Sequence, residues 1–126
     1  MKYLLTAFLS LRLAVATFAQ SPSAENAIKG IWAATEMNNS QIEIYKAADG
    51  LWYGKILKSD ESKTIGKVIF RKGKYDATTK KWTGELVKPD NGMILTAELN
   101  LESNSNLQVK GSKFFMTKTF YWTKLN

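Results

Sequence analysis

Cysteine and histidine are both absent from the 126 residues. Without cysteine there is no disulfide, no thiolate metal site and no cysteine nucleophile. Without histidine the chain lacks the commonest general base, the usual zinc ligand and the usual member of a catalytic triad. Proline is scarce, with two residues, and glycine numbers only eight, which does not fit a disordered or low-complexity chain. The eleven acids are scattered. Glu43, Glu85 and Glu98 fall on outward positions of alternating segments, and Asp49, Asp60, Glu61, Asp76 and Asp90 fall in turns, so no two are placed as an acid–base pair. Asp49-Gly50 and Asp90-Asn91-Gly92 lack the dense ligand spacing of a calcium loop. There is neither a glycine-rich phosphate loop nor a G-x-S-x-G nucleophile turn. These absences argue against an enzyme and leave no cofactor or metal to expect.

What is present begins with an export pattern. Met1-Lys2 is a short basic start, residues 4–16 are largely apolar, and Thr17-Phe18-Ala19 places small residues three and one before a cut ahead of Gln20. Arg12 is unusual within such an apolar stretch, and it also makes a membrane anchor a poorer reading. The expectation is a cleaved signal peptide over residues 1–19 and a mature chain, periplasmic or secreted, with no membrane span. Residues 20–27 are polar and are expected to be a flexible lead-in; a short helical turn is the other reading.

Past residue 27 the hydrophobic period is two. The clearest hairpin lies in residues 81–101. Trp82, Gly84 and Leu86 alternate with Thr83, Glu85 and Val87, and Met93, Leu95, Ala97, Leu99 and Leu101 alternate with Ile94, Thr96, Glu98 and Asn100. Pro89-Asp90-Asn91-Gly92 between them supplies the turn chemistry. The other strands are expected at 28–35, 41–47, 51–58, 67–75, 106–112 and 115–124, with an Asp49-Gly50 hairpin signal between the second and third. Eight short strands, short turns and no helical period predict an all-β fold: an antiparallel meander of about eight strands closing into a barrel over residues 28–126. An eight-stranded barrel either fills with side chains or holds one small ligand, and short strands argue for a small cavity.

Trp52-x-Gly54-x-Ile56 and Trp82-x-Gly84-x-Leu86 repeat one pattern. The structural reading puts both indoles in the core, with each glycine allowing strand coiling. The functional reading has them flank a ligand.

From Gly30 to Lys124 the chain resembles the bacterial domain of unknown function 2147 family. The matching segments are Gly30-x-Trp32, Ile42-Glu43-Ile44-Tyr45, residues 49–56 (DGLWYGKI), residues 81–86 (KWTGEL), Pro89-Asp90-Asn91-Gly92, residues 107–111 (LQVKG) and Trp122-Thr123-Lys124. The resemblance implies a small exported β-barrel and no established activity. The chain departs from that pattern near Trp82, where Thr83 and Glu85 stand without a second glycine, and at Lys124, where an arginine is usual. The ends also look like lipocalin-type barrels. That likeness implies that Gly30 and Trp32 close the barrel floor together with Trp122 and Lys124, the ammonium lying over the Trp32 ring.

Two functional readings follow. One is a small hydrophobic or lipid-like ligand held inside, with Trp52, Ile56, Trp82, Leu86, Leu95, Leu99, Val109 and Phe120 as wall. The other uses a basic face formed by Lys55, Lys67, Arg71, Lys72, Lys74, Lys80, Lys81 and Lys88, within a net charge of +7, to meet an anionic envelope surface or acidic polymer. Solubility and edge protection account for the same lysines. Nucleic acid is not an expected partner of an exported chain. Oligomeric state is left open.

Overall fold

The computed structural model describes residues 24–126; the expected signal peptide and the first residues of the lead-in lie outside them. The strands are β1 (Gly30–Ala34), β2 (Ser40–Lys46), β3 (Trp52–Lys58), β4 (Val68–Asp76), β5 (Lys81–Val87), β6 (Ile94–Ser103), β7 (Asn106–Lys113) and β8 (Met116–Lys124). Each pairs antiparallel with its sequence neighbour, and β1 closes on β8, giving a closed eight-stranded barrel among the described residues. The all-β meander expected from the alternation is therefore the fold, with every strand end within two residues of the expected one.

Part of the expected lead-in is ordered. Ala24–Ile28 is a short 3-10 turn, and Ile28 at its end is fully buried. Over these residues the second of the two expectations, a short helical turn, is what forms, held by backbone and side-chain acceptors aimed at the barrel.

Inward positions follow the period of two. Trp32, Ile42, Ile44, Trp52, Ile56, Phe70, Trp82, Ala97, Leu99, Leu107, Val109 and Trp122 are all within 2 % of complete burial. The β5–β6 hairpin pairs without interruption from Lys81 opposite Asn100 to Val87 opposite Ile94. The Pro89–Gly92 turn is closed by the Lys88 N–H to the Met93 carbonyl at 2.9 Å and by the Met93 N–H to Asn91 Oδ1 at 2.9 Å. The β4–β5 pairing slips between Arg71 and Lys74. At that bulge the β4 backbone presses on Gly84: a Cβ there would lie 2.6 Å from the Arg71 carbonyl oxygen. Gly84 therefore serves the close approach of two backbones that coils the sheet.

In an up-and-down barrel alternate turns share one end. The β1–β2, β3–β4, β5–β6 and β7–β8 connections lie at one end; the other connections, the start of β1 and the C-terminal residues lie at the opposite end. The four tryptophans all belong to the second end: Trp32, Trp52 and Trp82 lie near the starts of odd strands, and Trp122 lies near the finish of an even one. This segregation makes one half of the barrel solid and leaves room in the other.

Candidate functional site: a half-hollow barrel with a basic mouth

The solid half is sealed by the N-terminal turn. Trp32 Nε1–H donates to the Ile28 carbonyl at 2.9 Å, Trp52 Nε1–H to Glu25 Oε2 at 3.0 Å, and Trp82 Nε1–H to the Glu25 carbonyl at 3.2 Å. Three buried indoles thus find acceptors on one five-residue turn, which satisfies donors that would otherwise be costly to bury. The Glu25 carboxyl is held below its ordinary pKa, first by the Trp52 hydrogen bond and further by Lys46, whose Nζ lies 3.4 Å away, although partial burial acts in the opposite sense. Tyr75 packs against Trp82 with the rings tilted by 47° and their centroids 4.8 Å apart. Lys124 Nζ stands 5.7 Å from the Trp32 ring centroid and is the register partner of Trp32, so the expected closing pair is in place. Trp122 is equally buried, but among the described residues its Nε1–H has no acceptor.

The other half holds an open cavity of about 730 Å³. That lies within the range of about 300–1,000 Å³ usual for small-molecule sites, and it corrects the expectation of a small one. The strands are longer than the solid half needs: β6 has ten residues and β4 and β8 nine each. At roughly 3.3 Å per residue they carry the wall well past the tryptophan layer.

The cavity divides the eight expected wall residues in two. Ile56, Leu86, Leu95 and Phe120 line it. Trp52, Trp82, Leu99 and Val109 do not: they face inward but belong to the packed half, so neither tryptophan flanks a ligand space. The structure places both indoles of the W-x-G-x-[IL] repeat in the packed core and not on this cavity. Trp52 lies four residues before Ile56 on the same strand, a distance of about 13 Å along it. Alternation reports which face a side chain takes and not how deep it sits.

The lining also includes residues that sequence reasoning missed: Met37, Ser40, Thr64, Ile69, Met93 and Gly111. Gly111 continues the inward series Leu107, Val109, and its missing side chain leaves the wall formed there by Leu86 and Leu95, each 3.1 Å from where a Cβ would stand. A glycine at an inward strand position was the available signal.

The mouth is charged. Lys63, Lys88, Lys113 and Lys118 line it together with Glu36, Glu61 and Asp90. Glu36 accepts the Tyr121 N–H at 3.2 Å, and Glu61 lies 3.9 Å from Lys63. Lys118 Nζ hangs 5.8 Å from the ring centroid of Phe120, which places an ammonium directly above the apolar wall.

The expected basic face is broken up. Arg71 Nε meets Glu85 at 2.8 Å, and Lys72 reaches the same carboxylate at 4.0 Å. Lys81 meets Glu98 at 2.9 Å and Lys55 meets Glu43 at 3.5 Å, both across neighbouring strands. Lys67 donates to the Pro89 carbonyl at 2.9 Å, Lys88 turns to the mouth, and Lys74 and Lys80 sit toward the solid end. The outward glutamates stand beside the outward lysines, so these eight residues do not form one cationic surface. Among the described residues no group of acid side chains is arranged to hold a metal, and no helix is long and apolar enough to cross a membrane.

Comparison with known proteins agrees with the architecture. The structure is similar to that of protein HP1028 from Helicobacter pylori, described as belonging to the lipocalin family, with a TM-score of 0.62 and 17 % identity over 79 % of this chain and 83 % of that one. At that identity the likeness is one of fold. No curated protein matches the chain. Residues 30–124, which run from the closing glycine of β1 to the lysine over Trp32, match the family model described as an uncharacterized protein conserved in bacteria, and the chain belongs to that DUF2147 family.

Proposed function

We propose that the protein is a non-enzymatic, exported binding protein for a single-chain amphipathic anion, such as a fatty acid. The observation that carries this reading is the half-hollow interior. An apolar wall of Ile56, Ile69, Leu86, Leu95 and Phe120 opens at a mouth where Lys88, Lys113 and Lys118 stand. An acyl chain would take the wall, and a carboxylate would take the ammonium groups, a charge-assisted contact. The lipocalin-like fold supports a ligand-holding role. The absence of histidine and cysteine from the whole chain supports a non-catalytic one. Export, to the periplasm or beyond, rests on residues 1–19 and is tested by N-terminal sequencing of the protein from the periplasmic fraction, where a mature start at Gln20 is expected.

Intrinsic tryptophan emission is a poor reporter of binding, because all four indoles are sealed in the other half. Displacement of a fluorescent fatty acid is the suitable assay. Leu95→Trp, which fills the cavity, is expected to weaken binding at least about tenfold, a loss of roughly 1.4 kcal/mol. Lys113→Ala with Lys118→Ala is expected to weaken the free acid and leave its methyl ester unchanged. Undiminished binding in Leu95→Trp, or equal affinity of acid and ester for the unaltered protein, would overturn the proposal.

A further inference from the structure

The β7–β8 hairpin ends in a two-residue loop, Phe114-Phe115, with Lys113 opposite Met116. Such loops ordinarily use asparagine and glycine, because their first position requires positive φ. Phe114 adopts φ +55° there, a conformation unfavourable for a bulky side chain. Core packing does not repay it: Phe114 is 92 % exposed, Phe115 fully so and Met116 76 %, with Lys113 Nζ lying 5.8 Å from the Phe114 ring centroid. Neither turn chemistry nor core packing explains three consecutive large apolar residues at a protruding tip. Met93, Ile94 and Ile65, also exposed, lie in or beside connections at the same end of the barrel.

We propose that this tip is a membrane-surface anchor that seats the cavity mouth on an anionic lipid bilayer. Charge selects the partner: the ends of β7 and β8 beside the tip carry Lys113 and Lys118 and no carboxylate side chain, and around the mouth Lys63 and Lys88 join them against Glu36, Glu61 and Asp90. Aromatic residues flanked by lysines suit the boundary between headgroups and acyl chains, where rings are buried and ammonium groups meet phosphate. A protein partner adding a strand would need a free edge, and both strands of this hairpin are already paired on either side. Phe114 and Met116 also line the cavity, so a lipid-like ligand would pass between bilayer and barrel over the anchor itself. The surface lies at the mouth, away from the cross-strand ion pairs of β2 to β6.

The test is sedimentation with vesicles of phosphatidylcholine alone and of phosphatidylcholine mixed with phosphatidylglycerol. The informative variant is Phe114→Gly with Phe115→Asn, which puts glycine at the positive-φ position of the loop and so keeps or raises the melting temperature while removing the anchor. The unaltered protein is expected to bind the mixed vesicles, and the variant to bind them at least about tenfold less. Leu95→Trp, with its cavity filled, is expected to bind vesicles as the unaltered protein does, so a failure of ligand binding and a failure of docking are separately visible. The proposal is overturned if the unaltered protein stays in the supernatant, if the double variant binds equally, or if phosphatidylcholine alone binds as well as the mixture. It is also overturned, in favour of a second copy of the chain, if the double substitution abolishes a dimer seen by sedimentation velocity without any vesicle binding.

Discussion

Two tryptophans at the sealed end face the same surroundings with opposite polar accounts. Trp32 donates to Ile28 and packs under Lys124, whereas Trp122 buries its N–H without an acceptor among the described residues. Trp32→Ala is expected to cost about 3–5 kcal/mol, as large-to-small changes at fully buried aromatics do. Trp122→Phe is expected to cost clearly less, because the ring volume it gives up is partly offset by removal of a donor without an acceptor. Chemical denaturation of both variants checks the pair, and equal losses would refute the difference. Glu25 gives the pH dependence at this scale. Its folded pKa is below the ordinary value of about 4.5, so the stability it contributes is fully present above that value. That stability is lost as pH falls through the lowered folded value. Glu25→Gln is expected to flatten the acid limb of a melting-temperature profile and to leave the neutral region with the same slope.

At the scale of the elements, the weakest join is the one that closes the barrel. β1 and β8 share two register pairs, Trp32 with Lys124 and Ala33 with Thr123. The join is extended by the Ile31 N–H to the Asn126 carbonyl at 3.0 Å and the Leu125 N–H to the Ile31 carbonyl at 2.8 Å. Gly30 makes room for this strap: it has φ +142°, and a Cβ would lie 2.3 Å from the Asn126 oxygen. Gly30→Ala is expected to lower stability by more than about 1 kcal/mol and to raise the unfolding rate, measurable by stopped-flow denaturation. The eight elements themselves were legible because polar residues alternate with apolar ones and Asp49-Gly50 and residues 89–92 punctuate them. The N-terminal turn was legible only as the second reading of a polar segment, since its order comes from acceptors that Glu25 and Ile28 offer to tryptophans, two of them distant in sequence. The candidate wall was half legible. Depth could have been obtained from topology: in a meander the first residues of β3 and β5 share an end, so Trp52 and Trp82 had to lie together, away from Ile56 and Leu86. The cross-strand partners of the lysines were likewise implicit in register, Arg71 opposite Glu85 being one such pair.

For the whole molecule, stability and vacancy occupy opposite halves. Amides around the tryptophan layer are expected to exchange only by global unfolding, and those of the mouth turns by local opening at lower free energy. Hydrogen exchange read by mass spectrometry distinguishes the halves. A ligand in the cavity stabilises the folded state in proportion to its occupancy; a fatty acid at one hundred times its dissociation constant would add about 2.7 kcal/mol. For a domain of this size that corresponds to a rise in melting temperature of several degrees. No rise at saturation would contradict occupancy of the folded barrel.

The placement of alternate turns at opposite ends has one more consequence. The β1–β2, β3–β4, β5–β6 and β7–β8 connections frame the mouth, whereas the sealing turn, the indole layer and the closing strap belong to the other end. The four mouth loops can therefore be exchanged or randomised as a set with little demand on the residues that fold the chain. The barrel is in that sense a ready scaffold for loop libraries: a small, disulfide-free support on which new specificities could be selected in a reducing cytoplasm.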